Sequence, residues 1–463
     1  MKILGSTLLF VLSFATLYAQ KSVPVFATKE DSTNYFQVQA KMMSFRKNQN
    51  GKPTAEEAER MDSLSKAFTQ AYEKIIAYRY VYEMSHGFTS YKHFDKNNAL
   101  KVTKLSLHDY AAKNFPKNLA NCKNLEELEL VNTNIKRLPA YLKKFPKLKE
   151  INILNNHPAK GKLVLAKNNA VKELNIRTDD ESTLPNNYKV FKNLEILDLS
   201  KCQLSAIPSI SKNTKLKKLV LIDNNLVLGD AKLSLPAGLE ELNLQKNKIT
   251  ALPQNIGDLS SLKKLLCNYN NIEALPRSIG KLQQLEQITF YQNKISTLPS
   301  EFYQLRNLNT IDLYYNKITK LDEQLGDLSK LEVLYLSFNE LTTLPESMSK
   351  LSMLRELYLH HNKLSYLPGT VQALTNLSVL RLNDNSFVEF PSAILSLHKL
   401  ENLDLSKNQL RNLPEQLGSF KNLQLLSIGQ NPWENTEAIE NLSNSLKNKG
   451  VTVHTALKDA SVN

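Results

Sequence analysis

Residues 262–284 read LKKLLCNYNNIEALPRSIGKLQQ, residues 285–307 read LEQITFYQNKISTLPSEFYQLRN, and residues 308–330 read LNTIDLYYNKITKLDEQLGDLSK. One phrase returns every 23 residues: an apolar stretch, an asparagine, then a leucine that proline usually follows. A unit this short buries a core only against its neighbours, so the period predicts a stacked array before any local propensity is considered. Working outward, the first apolar residues of successive units fall at Val102, Leu125, Leu148, Val171, Leu194, Leu216, Leu239 and Leu262, then at 23-residue steps to Leu423. Fifteen units therefore span residues 102–433, with a single 22-residue step between Leu194 and Leu216.

Within a unit, the L-x-L core alternates with period two. Leu334 and Leu336 are expected to point inward and Tyr335 outward. Leu341, Leu344, Met348 and Leu351 close the unit from behind. Pro345 and its equivalents at 116, 139, 185, 208, 253, 276, 299, 368, 391 and 414 fix φ where the chain turns to the opposite side, which suits the first turn of a short helix. The ninth position is asparagine from Asn224 to Asn431 and also at Asn156. A buried amide there can satisfy backbone groups that leave the sheet, and stacked copies are expected to satisfy one another. Tyr110, Thr133, Asp179 and Cys202 replace it in early units, which are expected to be less regular.

This L-x-x-L-x-L-x-x-N-x-I/L-x-x-L-P phrase resembles the leucine-rich repeat family over roughly 70% of the chain. The resemblance implies an α/β solenoid: a right-handed horseshoe with one curved parallel sheet on the concave face, short helical or 3-10 segments on the convex face, and a helical N-terminal cap.

Outside the array, MKILGSTLLFVLSFATLYAQ has the layout of a secretory signal peptide, with cleavage expected after Ala19. The alternative is an uncleaved anchor, for which the apolar run is short. The chain is thus expected to be secreted, periplasmic or displayed at the cell surface. Residues 20–101 are expected to be helical: a Thr54 to Glu57 capping box opens an amphipathic helix over about 55–84, and a weaker helix lies over about 32–47. A solenoid end cap is the default role for this region, and a separate helical binding module is the alternative. At the other end, residues 434–463 read as a cap, with a helix in EAIENLSNSLKNKG and a strand-like VTVHT. Three cysteines do not make a disulfide framework, and the absence of paired capping cysteines favours a bacterial over an animal extracellular protein.

The segments outside the repeats are short for a catalytic domain, and no nucleophile with a base, phosphate loop or metal spacing is found, so no enzyme, cofactor or metal site is expected. The His360-His361 pair is read as adjacent residues pointing to opposite faces or into a turn. The formal charge of +14, from 59 Lys and Arg against 45 Asp and Glu, is spread over loops. It is read as a solvated surface or as attraction to anionic glycans or membranes; nucleic acid is not an expected partner.

Aromatic residues occupy outward slots in five consecutive units: Tyr269, Tyr291, Tyr314, Tyr315, Tyr335, Phe338, Tyr358, His360 and His361. Flanking units place Asp198, Ser200, Lys201, Asn243, Gln245, Asp404 and Ser406 there instead. At about 4.8 Å per strand the rings would form one strip on the order of 20 Å long. Mutual stacking on a strand surface is the plain reading. A hot spot for a protein partner on the concave face is the leading functional one. A carbohydrate-binding or envelope-scaffolding role, using the same rings and the lysine excess, is the alternative.

Overall fold

The computed structural model describes residues 22–26, 75–80, 88–158, 161–229 and 231–455. The chain divides into two compact units, Met1–Phe88 and Thr89–Asn463. In the first, Ser22–Phe26 pairs antiparallel with Ile75–Tyr80. This corrects the expected helix over 55–84, which cannot continue through 75–80. The run IIAYRY is β-branched and aromatic, and such residues favour strand once a partner such as SVPVF is available. The rest of that helix, the helix over 32–47 and the leader with its cleavage site lie outside the described residues.

The second unit is the solenoid. Each of the fifteen repeats contributes one strand, from Lys104–His108 to Leu425–Ser427, paired in parallel and in chain order. Equivalent positions lie side by side: Thr289 pairs with Asp312, Asp312 with Tyr335, and Tyr335 with Tyr358. Two further strands extend the sheet beyond the repeats, Thr89–Ser90 before the first and Thr452–His454 after the last. Among the described residues no register joins those two end strands, so the sheet is open. The span 20–101 is therefore not uniformly helical, and its last part already belongs to the sheet. After the repeats, the helix Thr436–Asn448 is capped by the Asn435 side chain, buries Ile439 and Leu446, and leads into the final strand.

The inward L-x-L side chains stack into one continuous core, and Leu334 and Leu336 are almost completely buried. Stacking also explains the convex face. Pro345 has φ −70° and immediately precedes the 3-10 turn Glu346–Lys350, so the repeat prolines cap these turns from outside their first residue. At Gly280 a Cβ would stand 2.4 Å from the Glu301 carbonyl oxygen of the next unit, a spacing only glycine permits.

The asparagine ladder is present, with a different wiring from mutual amide pairing. The Asn316 Nδ2 donates to the carbonyls of Phe290 at 2.9 Å and Leu313 at 3.1 Å, while its Oδ1 accepts the Ile295 N–H at 3.0 Å. Each amide thus fastens the backbone of its own turn to that of the preceding unit. In the early units Thr133 donates through Oγ1 to Asn156 at 2.6 Å, and Asp179 leaves the core to meet His157. The irregularity expected there is absent from the strands, since the first four run for five residues and later ones for three. Cys122, Cys202 and Cys267 are free and buried, and burial pushes the Cys202 thiol up to about 12.

Candidate functional site

A recurring backbone feature sets the geometry of the aromatic side chains. At the eighth position φ is positive in every unit except that of Thr178, for example 58° at Tyr269, 54° at Tyr315, 55° at Phe338 and 54° at His361. The left-handed conformation interrupts strand alternation, so the seventh and eighth side chains turn to the same side. Of the two alternatives expected for His360 and His361, opposite faces or a turn, the chain takes the turn, and the rings lie 5.4 Å apart on one face. Five other units fill the position with Asp109, Asn132, Asn155, Asp223 or Asp384, residues that tolerate this conformation, and five with Lys201, Lys246, Gln292, Lys407 or Gln430. Bulky rings there cost roughly 1–2 kcal/mol each.

The rings form two groups rather than one strip. The larger runs through the seventh and eighth positions. Tyr269 meets Tyr291 edge-on at 4.9 Å, and Tyr291 meets Tyr314 at 5.4 Å and Tyr315 at 5.9 Å. Phe338 is then sandwiched, with Tyr315 at 4.0 Å and His361 at 3.8 Å, both nearly parallel to it. The second group is the fifth-position pair Tyr335 and Tyr358, stacked at 4.7 Å. Tyr315 is 41% exposed, and the other rings are half-buried against one another.

Polar groups pin the larger group at its ends, and sequence reasoning missed most of them. The Lys246 ammonium sits 5.8 Å above the Tyr269 ring, and the Tyr291 N–H donates to Asn268 Oδ1 at 2.9 Å. At the other end His360 bridges Ser337 Oγ at 2.7 Å and the Tyr314 hydroxyl at 3.2 Å. His361 Nε2 meets Asp384 Oδ2 at 3.0 Å, and Lys407 reaches the same oxygen at 3.3 Å. Burial, with help from His361 and Arg381, pushes His360 down to about 3, so its imidazole is neutral at physiological pH. Burial also raises the phenols of Tyr291, Tyr314 and Tyr358 above their usual range. Asp312, at the fifth position between Thr289 and Tyr335, is pushed up to about 6 by burial against a single N–H donor, that of Tyr314 at 3.1 Å. The signal for most of these neighbours was available in the sequence, since Lys246, Asn268, Ser337, Asp384 and Asp312 each lie one repeat from a ring at the same position and Lys407 lies two repeats from His361.

Among the described residues no three His, Cys, Asp or Glu side chains gather as a metal site, and no helix is long and apolar enough to cross a membrane. The arrangement offers a rigid surface of ring edges and phenol hydroxyls, bordered by charge at both ends.

Repeat register, core and asparagine ladder define a class of stacked β-solenoid, and comparison with known proteins gives it a family. The family described as leucine-rich repeat region matches residues 238–341 and 325–451, and that described as Leucine Rich Repeat matches residues 193–213. The chain belongs to the leucine-rich repeat family. Among solved structures, a leucine-rich repeat protein of Leptospira interrogans is 27% identical, with a TM-score of 0.62, covering 79% of this chain and 99% of its own. An internalin of Listeria monocytogenes aligns with a TM-score of 0.50 at 20% identity, covering 80% of this chain and 90% of its own. A plant peptide hormone receptor in complex with RGF2 aligns with a TM-score of 0.52 at 24% identity, covering 73% of this chain and 61% of its own. No curated protein matches the chain in sequence.

Proposed function

We propose that the chain is an exported, non-enzymatic binding module that engages a protein partner through the aromatic face between Tyr269 and His361. The observation that carries this reading is the set of four bulky rings, Tyr269, Tyr315, Phe338 and His361, held at positive φ where asparagine or aspartate would sit without strain. All repeats but one hold this position at positive φ, and these four place a ring there where the others carry asparagine, aspartate, lysine or glutamine. Such strain is retained where the surface it creates is used. Clustered, pre-ordered tyrosines lose little entropy on binding, which is why such rings dominate protein hot spots. Complex formation by a leucine-rich repeat receptor with a peptide hormone supports a protein-class ligand for this fold.

Ring orientation favours a protein over a sugar. A sugar stacks on an open ring face, yet both faces of Phe338 are covered, and Tyr335 and Tyr358 each cover one face of the other. What remains available is mostly ring edges and hydroxyls, which suit carbonyl oxygens and the π-faces of a partner's own rings.

The test is to cross-link the mature protein in its native compartment, identify the captured partner by mass spectrometry, and titrate that purified partner against Tyr314→Ala. A loss of roughly 30-fold, equivalent to about 2 kcal/mol, supports the reading. Unchanged affinity with an intact fold rejects it.

A further inference from the structure

The fifth-position aspartates provide an internal template. Asp198 and Asp404 are both held in the same way: the N–H two residues on donates to Oδ1, from Ser200 at 2.9 Å and from Ser406 at 3.0 Å. Each also receives an arginine from the preceding strand, Arg177 for Asp198 and Arg381 for Asp404, the latter at 3.1 Å. Asp312 repeats the first half of this pattern through the Tyr314 N–H. It lacks the second half. The preceding strand supplies Thr289 in register and Tyr291 two residues on, and among the described residues Asp312 forms no ion pair.

We propose that Asp312 is the receiving carboxylate for an arginine side chain carried by the protein partner, which completes in trans the pairing that Arg177 and Arg381 make in cis. The inference rests on the aromatic face being the partner-binding surface. The surroundings fit a guanidinium. Tyr335 lies beside Asp312 on the next strand and stacks on Tyr358 through one face only, so a planar cation reaching the carboxylate can stack on the other face. Thr289 Oγ1, in a side chain more than nine-tenths buried and in register with Asp312, has no hydrogen-bond partner and can accept an additional N–H. The protein's own cations near the rings are engaged elsewhere: Lys407 pairs with Asp384, Lys246 lies over Tyr269, and Arg381 pairs with Asp404.

The full chain, labelled with 13C-tyrosine, should be titrated with N-acetyl-arginine amide and, separately, with the uncharged isostere N-acetyl-citrulline amide. The expected result is a saturable shift of the Tyr314 and Tyr335 resonances with the arginine compound alone, weakened at least tenfold in Asp312→Asn. A second variant, Thr289→Arg, places an arginine where Arg381 stands relative to Asp404. It is expected to occupy Asp312 from within and to weaken the probe equally. An absent response, an equal response to both compounds, or a response unchanged in Asp312→Asn overturns the proposal. Partner affinity that falls in Tyr314→Ala and stays unchanged in Asp312→Asn overturns this inference alone. Affinity that survives Tyr314→Ala overturns the reading on which it rests.

Discussion

The imidazole of His361 lies on the ring of Phe338, with centroids 3.8 Å apart and planes 13° from parallel, and both residues hold a left-handed backbone. Stacking of this kind contributes about 0.5–1.5 kcal/mol, which roughly offsets the strain of one such residue and not of both. The pair is therefore expensive as a purely structural device. Phe338→Asn should leave stability within about 1 kcal/mol of wild type, because asparagine relieves the strain as the stack is lost. Chemical denaturation midpoints measure this. A loss of several kcal/mol would make the ring a structural element.

The asparagine ladder predicts the opposite behaviour at a neighbouring position. Asn316→Ala removes donors to Phe290 and Leu313 and an acceptor for Ile295, and should cost roughly 1–3 kcal/mol. Exposed Lys317→Ala should cost almost nothing. Equal urea midpoints for the two variants would contradict the wiring.

Asp312 gives the solenoid a specific pH dependence. Its folded-state value of about 6 lies above the ordinary carboxylate value of 3.8, so folding favours its protonated form. The associated stability is complete below about pH 4 and is lost as pH rises through 6. Measured as the difference between wild type and Asp312→Asn, so that other groups cancel, about 1–3 kcal/mol should disappear over that window. The variant should be at least as stable as wild type at pH 7. A flat difference would contradict the burial of this carboxylate.

Nearly all of the solenoid was legible because its information is redundant: fifteen copies of one register each report the same inward pair and the same turn. The frame located every repeat strand and both members of pairs such as Leu334 and Leu336. The isolated strand pair at Ser22–Phe26 and Ile75–Tyr80 was not legible, since Ile75 and Tyr78 satisfy a helical period as readily as a strand and only a distant partner decides between them. The positions of the rings were readable, and their orientation was not. For His360 and His361 the sequence left opposite faces or a turn open, and the positive φ at the eighth residue decides for the turn. Asp312 was missed because its distinction lies in what its neighbours fail to provide.

Export is tested at the N-terminus. The ordered lysine, apolar run and Ala19-Gln20 junction predict a mature chain beginning at Gln20. Sequencing of the natural product would show Gln20 first, and an intact Met1 in a cytosolic fraction would contradict export.

The most direct measurement is a titration of the purified cross-linked partner against Tyr314→Ala, Tyr335→Ala and Tyr358→Ala, with exposed Lys264→Ala as the control, at low and high salt. Each tyrosine loss should weaken binding by about 2 kcal/mol or more with the fold retained, because a ring is removed from a desolvated contact, and Lys264→Ala should be near neutral. High salt should weaken wild-type binding only modestly, since a partly buried contact is poorly screened. Affinity that survives all three tyrosine losses and collapses in salt would contradict the account and favour an electrostatic surface.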